Sequence, residues 1–291
     1  MLNFVINPTA GGKRGKKMLK SITLIENRLI ERQVEYAFHY SEKKGDATKL
    51  TKTLIQNGAS NIIAVGGDGT LHEVINGFSN FENVALGIIP CGTGNDFANA
   101  LNLPLDPKAA LDVILDNQPK FTDFMQMPTV RGLNIIGMGI DVDVLKRYES
   151  LKKKTKFGYT SSLIKTLFKF KCIKFGAKIG DTHTEHHSFI AGIANGKVFG
   201  GGLKLCPLAD PCDGKLNFVT VDAMNKLKII NAFIQLKKGK LLNIKQAHHT
   251  VAEEVEIIPT IPYTVNVDGE LYENIPFNVK VVTNTLRIYR V

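Results

Sequence analysis

The sequence predicts a two-part α/β protein: a doubly wound domain with a mainly parallel sheet, then a largely antiparallel β-sandwich. Three observations predict it. Strand and helix signals alternate up to about residue 125. Three glycine-rich turns in that stretch each follow an apolar strand. Beyond it, the chain changes to short strands joined by Gly, Asn, Asp or Pro turns.

In order, Leu2–Ile6 is a strand ended by Asn7-Pro8, and Lys16–Gln33 is a helix through Leu19, Ile22, Ile25 and Leu29. Val34–Tyr40 is a strand, and Asp46–Asn57 a helix stopped by Gly58. Asn61–Val65 is an apolar run of the kind covered on both faces of a sheet. Thr70 and Glu73 after it have capping-box spacing and open a helix that buries Leu71, Val74, Ile75 and Phe78. Val84–Ile89 is a strand closed by Pro90, and Asp96–Leu101 and Pro107–Leu115 are helices. Strands are expected in the second part at Leu133–Ile136, Ser188–Ala194, Lys215–Val221, Glu254–Ile258, Tyr263–Val267 and Phe277–Thr283. Helices interrupt it at Thr155–Phe170 and Lys226–Leu236.

The 291 residues suffice for one large or two ordinary domains, and 44% hydrophobic content allows a sizeable core. A net charge of +10 points to an acidic partner: nucleic acid, anionic membrane or polyphosphate. No recognised nucleic-acid motif accompanies it. Cys91, Cys172, Cys206 and Cys212 form no CxxC pair and no zinc spacing, and read as reduced thiols of a cytoplasmic protein. The N-terminus reaches Pro8 too early for a secretory segment, and no apolar run approaches the roughly 18 residues of a membrane span. His183, His186 and His187 lack a fourth ligand and read as an exposed turn rather than a metal site.

The chemistry concentrates in the three turns: NPTAGGKRG (7–15), GGDGT (66–70) and PCGTGNDFA (90–98). Glycines Gly66, Gly67 and Gly69 leave backbone N–H groups bare, and bare amides at a helix N-terminus favour phosphate. One such turn can also be a plain strand–helix connection; three at one sheet edge can enclose a nucleotide. Thr9, Lys13 and Arg14 are within reach of its phosphates, or form a solvated loop face. Asp68 beside a phosphate implies a metal, a water or a hydroxyl. No turn fits the P-loop or the GxGxxG pattern.

NPTAGG, GGDGTLHEVINGF and GTGNDFANAL, with LADPCDGKLNF (208–218) and VDGE (267–270), together resemble the diacylglycerol kinase catalytic-domain family, which includes sphingosine kinases and bacterial lipid kinases. The resemblance covers nearly the whole chain. It implies a phosphofructokinase-like α/β domain over 1–125, to which 284–291 return, and a β-sandwich lipid-substrate domain over 126–283, with the active site in the cleft between them. The implied activity is ATP-dependent phosphorylation of a lipid hydroxyl, with diacylglycerol as the first candidate and Mg²⁺ as cofactor.

The implied nucleotide contacts are Asn7, Thr9, Ser41, Gly66, Gly67, Asp68, Gly69, Thr70, Leu71, His72 and Thr93. His72 stands where the family commonly has Asn, which replaces an amide by a titratable ring. Asp68, Asp96 and Asp123 match a magnesium–water network; Asp210, Asp213 and the main-chain carbonyl of Lys215 match a second, structural metal site. Glu270 matches the general base, alongside Asp68 near the reactive magnesium. Asp213-Gly214 and Asp268-Gly269 also read as hairpin turns. In sphingosine kinases an aspartate in the stretch matching Asp141 and Asp143 contacts the lipid head group; here both also fit a strand-to-helix turn.

From Lys146 to Lys174 ten Lys/Arg and one acid are interleaved with Phe157, Tyr159, Leu163, Leu167 and Phe168. This is either an interfacial segment for an anionic membrane, with Lys152, Lys153 and Lys154 at its centre, or a solvated basic helix face. Lys226–Lys240 has a similar character. The expected partner is thus a lipid substrate met peripherally at a membrane surface, with a homodimer as a state the family allows. Two other functions stay open: a small-molecule kinase, because NAD kinases share GGDGT, and a nucleotide-dependent regulatory protein without turnover.

Overall fold

The computed structural model describes residues 1–10, 15–150, 162, 166 and 170–291. It divides into two compact units, Met1–Asp123 with Thr283–Val291, and Phe124–Val282. Lys13, Arg14, Lys152, Lys153, Lys154 and most of the helix expected over 155–170 fall outside the described residues.

The first unit runs β1 (Leu2–Ile6), α1 (Gly15–Glu31), β2 (Tyr36–Tyr40), α2 (Asp46–Gln56), β3 (Asn61–Gly66), α3 (Asp68–Gly77), β4 (Ala85–Pro90), α4 (Asp96–Ala100) and α5 (Pro107–Asp116), and ends in β5 (Pro119–Gln126). Its sheet has the order β2-β1-β3-β4, every pair parallel. Arg287 and Ile288 near the end of the chain add a further parallel strand beside Ala85 and Leu86. Alternate strand residues point to opposite faces. Phe4, Ile6, Ile63, Val65 and Ile89 pack with Met18, Ile22, Ile25 and Leu29 of α1 and with Leu111 and Ile114 of α5. Val5, Ile62 and Ala64 are also buried, and α2 and α3 pack together beside β1 and β3. Helices on both faces of a parallel sheet are what continuous apolar strands require.

The second unit contains β6 (Arg131–Gly132), β7 (Ile135–Gly139), α6 (Ile140–Glu149), β8 (Ile173–Ile179), β9 (Thr182–Ala194), β10 (Leu216–Asp222), α7 (Lys226–Lys238), β11 (Ala247–Ala252), β12 (Glu254–Pro259), β13 (Thr264–Val267), β14 (Glu270–Glu273) and the first part of β15 (Asn278–Tyr289). Its strand pairs are antiparallel: β9 carries β7 and β8 on one side and β10 on the other, and β12 joins β8 to β15. The period of two splits the buried residues into two cores. Ile136, Ala191, Ile193 and Phe218 enter one with Phe175, Val255 and Val267. Ile135, Ile190, Ala194 and Val219 enter the other with Val144 of α6 and Ile229 and Ala232 of α7. The expected fold class holds: a doubly wound α/β unit plus a largely antiparallel one.

Local chemistry explains the helix ends. Asp106 accepts from the Ala109 N–H (3.0 Å) ahead of Pro107 at the start of α5. Asn225 accepts from the Lys228 N–H (3.0 Å) at the start of α7, and Gly239 ends it in the left-handed region at φ 70°. Asp141 and Asp143 at the start of α6, with Lys146 and Arg147 at its end, complement its dipole.

Two local expectations are corrected. The box of Thr70 and Glu73 does not cap α3, which begins at Asp68; the Glu73 carboxylate accepts from Gly45 N–H (2.9 Å) and Ala47 N–H (3.1 Å) at the start of α2. His183, His186 and His187 form no turn; they lie in β9 opposite Lys178, Phe175 and Lys174 of β8. The His186 ring stacks on Phe175 with centroids 5.0 Å apart. No disulfide joins any of the four cysteines. No helix among the described residues is long and apolar enough to cross a membrane.

Candidate active site

Parallel strands β1, β3 and β4 all end at one edge of the first unit, so Asn7–Ala10 of the first turn, the second turn and the third turn follow them there as neighbours. Side chains and bare backbone then stitch the turns together. The Asn7 amide donates to Thr70 Oγ1 (3.1 Å), linking the first turn to the second. Asn7 Oδ1 also accepts from the Thr9 N–H (3.0 Å) and hydroxyl (2.9 Å), and Asn7 N–H donates to the Val65 carbonyl (3.1 Å). Ser41, buried at the end of β2, donates its backbone N–H to the Ile6 carbonyl (2.9 Å) and so lies beside the first turn.

Asp68 joins the second turn to the third. Its Oδ1 accepts from the Asp96 N–H (2.7 Å) and more weakly from Phe97 (3.5 Å); its Oδ2 accepts from the Asn95 N–H (2.7 Å). The two turns also touch through glycine. A Cβ on Gly67 would lie 2.9 Å from the Gly92 Cα, so neither position tolerates a side chain without moving the other turn. Asn95 holds the third turn in the left-handed region at φ 56° and closes it by accepting from the Gly92 N–H (2.9 Å).

Thr93 is exposed at the tip of this turn, and Gly69 is half-buried. Leu71 and His72 are buried, His72 at 3% exposure beside the Asn76 amide, so the imidazole belongs to the packing under the turn. Asp96 and Asp123 are buried carboxylates, on α4 and β5. The Asp68 and Asp96 carboxylates flank Gly94, at 2.7 and 3.6 Å from where its Cβ would be. Among the described residues no three His, Cys, Asp or Glu side chains form a ready-made metal cage.

In the second unit, Asp210, Asp213 and Lys215 share one exposed loop ahead of β10. Asp210 Oδ1 accepts from the Cys212 N–H (3.1 Å) and Asp213 Oδ1 from the Lys215 N–H (3.0 Å). Glu270 opens β14, directly after the Asp268-Gly269 turn that connects it to β13. Both turn residues have positive φ, 52° and 95°, as a two-residue hairpin loop requires. Asp268 anchors that turn by accepting from the backbone N–H groups of Leu133 (2.6 Å), Asn134 (2.9 Å) and Ile135 (2.9 Å).

An apolar cavity of about 70 Å³ lies in the same unit, lined by Ile140, Phe189, Leu205, Val221, Ile229 and Phe233, with Asp141 in its wall. Asp141 is 4% exposed, whereas Asp143 two residues on is exposed. Burial pushes the Asp141 carboxyl up from 3.8 to about 6, against the opposing pull of hydrogen bonds from Asn266 and the backbone. Its Oδ2 accepts from Asn266 Nδ2 (3.1 Å), and no hydrogen-bond donor among the described residues meets its Oδ1. The anchoring by Asp268 and the Asn266 contact have no local sequence signal, because their partners are more than a hundred residues away.

Residues 1–127 match the family described as the diacylglycerol kinase catalytic domain, and residues 134–290 match the YegS C-terminal NAD kinase beta sandwich-like domain. A Staphylococcus saprophyticus protein named diacylglycerol kinase is 29% identical over 281 residues, covering 94% of this chain and 90% of its own. A Staphylococcus epidermidis protein of the same name is also 29% identical over 281 residues, covering 94% of this chain and 87% of its own. The crystal structure of a Bacillus anthracis diacylglycerol kinase superposes with a TM-score of 0.75 at 20% identity, covering 100% of this chain and 96% of that one; at this identity the likeness speaks to the fold. Two consecutive domain matches spanning the chain, on a fold whose strand-end turns are stitched into one surface, place this protein in the diacylglycerol kinase catalytic-domain family.

Proposed function

We propose that the protein is an ATP-dependent lipid kinase that transfers the γ-phosphate to a lipid hydroxyl, with diacylglycerol as acceptor and phosphatidic acid as product. The observation that carries this reading is the stitched surface of the first unit. Asn7–Thr70, Asp68 to residues 95–97, and the Gly67–Gly92 approach hold the described parts of the three turns together with the N-terminus of α3, which no side chain caps, before any ligand arrives. Preorganised amides suit the phosphates of ATP, since phosphoryl transfer depends on positioning and charge neutralisation. The backbone from Gly66 to His72 and the side chains of Asn7, Thr9, Ser41 and Thr93 are the nucleotide contacts we assign. His72 and Leu71 contribute through backbone, because their side chains are buried.

The donor set fits magnesium. Every candidate ligand is an oxygen, and an ion that keeps several waters needs few protein carboxylates at once. Asp68, Asp96 and Asp123 would hold it at the nucleotide; Asp210, Asp213 and the Lys215 carbonyl would hold a second, structural ion. When bound, the magnesium at the nucleotide neutralises charge on the transferring phosphoryl group. Glu270 is assigned the base that takes the acceptor hydroxyl proton, because a lipid hydroxyl is a poor nucleophile. The apolar cavity suits part of an acyl chain, with Asp141 in its wall. On α7, Ile229, Ala232 and Phe233 line the cavity, while Ile230 (41%) and Ile234 (43%) face solvent ahead of Lys237, Lys238 and Lys240, a face suited to an anionic membrane.

The test is transfer of labelled γ-phosphate from Mg·ATP to a lipid panel in mixed micelles, with NAD as a non-lipid acceptor and Glu270→Ala as control. Label on diacylglycerol, lost by at least about 10²-fold in the variant, is the expected result. Label on NAD would favour a small-molecule kinase, the second reading, which the NAD kinase-like description of the second domain keeps in view.

A further inference from the structure

The Asn266 side chain is 9% exposed and uses both ends of its amide. Its Nδ2 donates to Asp141 Oδ2 (3.1 Å), and its Oδ1 accepts from the Gly269 N–H (2.8 Å), the residue directly before Glu270. One side chain therefore connects the wall of the apolar cavity to the turn that presents Glu270.

The backbone is arranged for this contact. Asn266 on β13 sits opposite Gly137 on β7. A Cβ at Gly137 would lie 3.0 Å from Asp141 Oδ2, so the glycine leaves the space in which the Asp141 carboxyl meets the amide. The turn is held separately from the other side, where Asp268 accepts three backbone N–H groups from residues 133–135. Glu270 also pairs with Val267 across the hairpin, and the Gly269 N–H is where Asn266 meets the turn.

We propose that Asn266 is a positioning residue that sets the orientation of Glu270 and couples it to Asp141 at the cavity. The proposal rests on the assignment of Glu270 as the base. Asn266 need not touch the lipid or the nucleotide; it acts by holding the Gly269 peptide, and with it the Glu270 backbone, in place. A base displaced by about 1 Å can lose on the order of 10²-fold in rate.

The experiment compares Asn266→Ala, Asn266→Asp, Asp141→Asn with Asn266→Asp, and Glu270→Ala in steady-state transfer to diacylglycerol micelles. Asn266→Asp is isosteric and keeps the acceptor for Gly269, but sets two carboxyl groups against each other; it tests the proposal even if the alanine variant folds poorly. The double variant restores a donor facing an acceptor in reversed polarity. Expected is a fall in kcat of about 10- to 100-fold for both single Asn266 variants, with KM for ATP unchanged. In the double variant kcat at saturating lipid recovers at least about tenfold over Asn266→Asp. Unchanged kcat in both single variants, with Glu270→Ala inactive, overturns the role of Asn266 and leaves the base in place. An equal loss in Asn266→Asp and the double variant also overturns it, because the reversed pair restores the hydrogen bond on which the coupling rests. Full activity in Glu270→Ala removes the base assignment, and the proposal with it.

Discussion

Two Asp-Gly turns, at Asp68 and Asp268, look alike in sequence and are built differently. In GGDGT, Asp68 is the first residue of α3, and its carboxylate gathers amides from the neighbouring turn at 95–97. In VDGE, Asp268 sits at φ 52° inside a hairpin, and its carboxylate gathers amides from the start of β7. Both use a charged acceptor on a small turn to tie down a distant backbone segment, a strong form of hydrogen bond. The difference lies in what each turn leaves exposed. The first leaves the N-terminus of α3 without a side-chain cap at the end of a parallel strand; the second leaves a half-buried glutamate at the start of a strand. An aspartate in a short motif can thus be scaffold, and its loss is felt at the segment it holds.

The comparison is broken most sharply by nucleotide binding. Asp68→Ala is expected to reduce transfer by roughly 10²-fold or more and to weaken ATP binding measured by calorimetry, because turns two and three separate. Asp268→Ala is expected to leave ATP affinity within about twofold while lowering unfolding stability by about 4 kcal/mol, since three backbone N–H groups lose a charged acceptor. Equal loss of ATP binding in both variants would mean that the two turns do not act independently.

A pH series sharpens the comparison within the second unit. The Asp141 carboxyl rises from 3.8 to about 6 on folding, so the folded state favours its protonated form. Its contribution to stability is full below about pH 4 and is lost as pH rises through about 6. Asp141→Asn, which cannot ionise, should unfold like the parent near pH 4 and be more stable at pH 8 by about 3 kcal/mol in denaturant titration. Parallel stability curves at all pH values would remove the buried-charge account. The smallest effect is expected at Glu73, which caps α2 from α3: Glu73→Ala should cost about 1 kcal/mol by thermal melting. A neutral result would mean that water replaces its two contacts to Gly45 and Ala47.

How far the sequence could be read follows the range of the interactions. The α/β alternation was legible because strand and helix periods differ, and in open α/β sheets ligands bind outside the carboxyl ends of the strands. The helices expected at Pro107–Leu115 and Lys226–Leu236 are present, and the structure adds their caps, Asp106 and Asn225. The same local logic misassigned Glu73, whose spacing from Thr70 fits a box but whose carboxylate finds the amides of α2, 26 and 28 residues away in the chain. His183, His186 and His187 read as a turn because that end of β9 has polar residues on both faces, which hides the period of two; pairing with β8 decides its form.

By itself, then, the sequence determined the fold class, the family and the three turns that carry the site, because these depend on composition, period and short-range motif. Only the tertiary structure decided which side chains do what within them. It made Asp68 and Asp268 anchors, placed His72 in the packing and separated Asp141 inside from Asp143 outside. It also brought Asn266 between Asp141 and Gly269. The physical reason is that a hydrogen bond and a burial cost depend on where groups meet in space, and for these residues the meeting partner comes from another strand or turn.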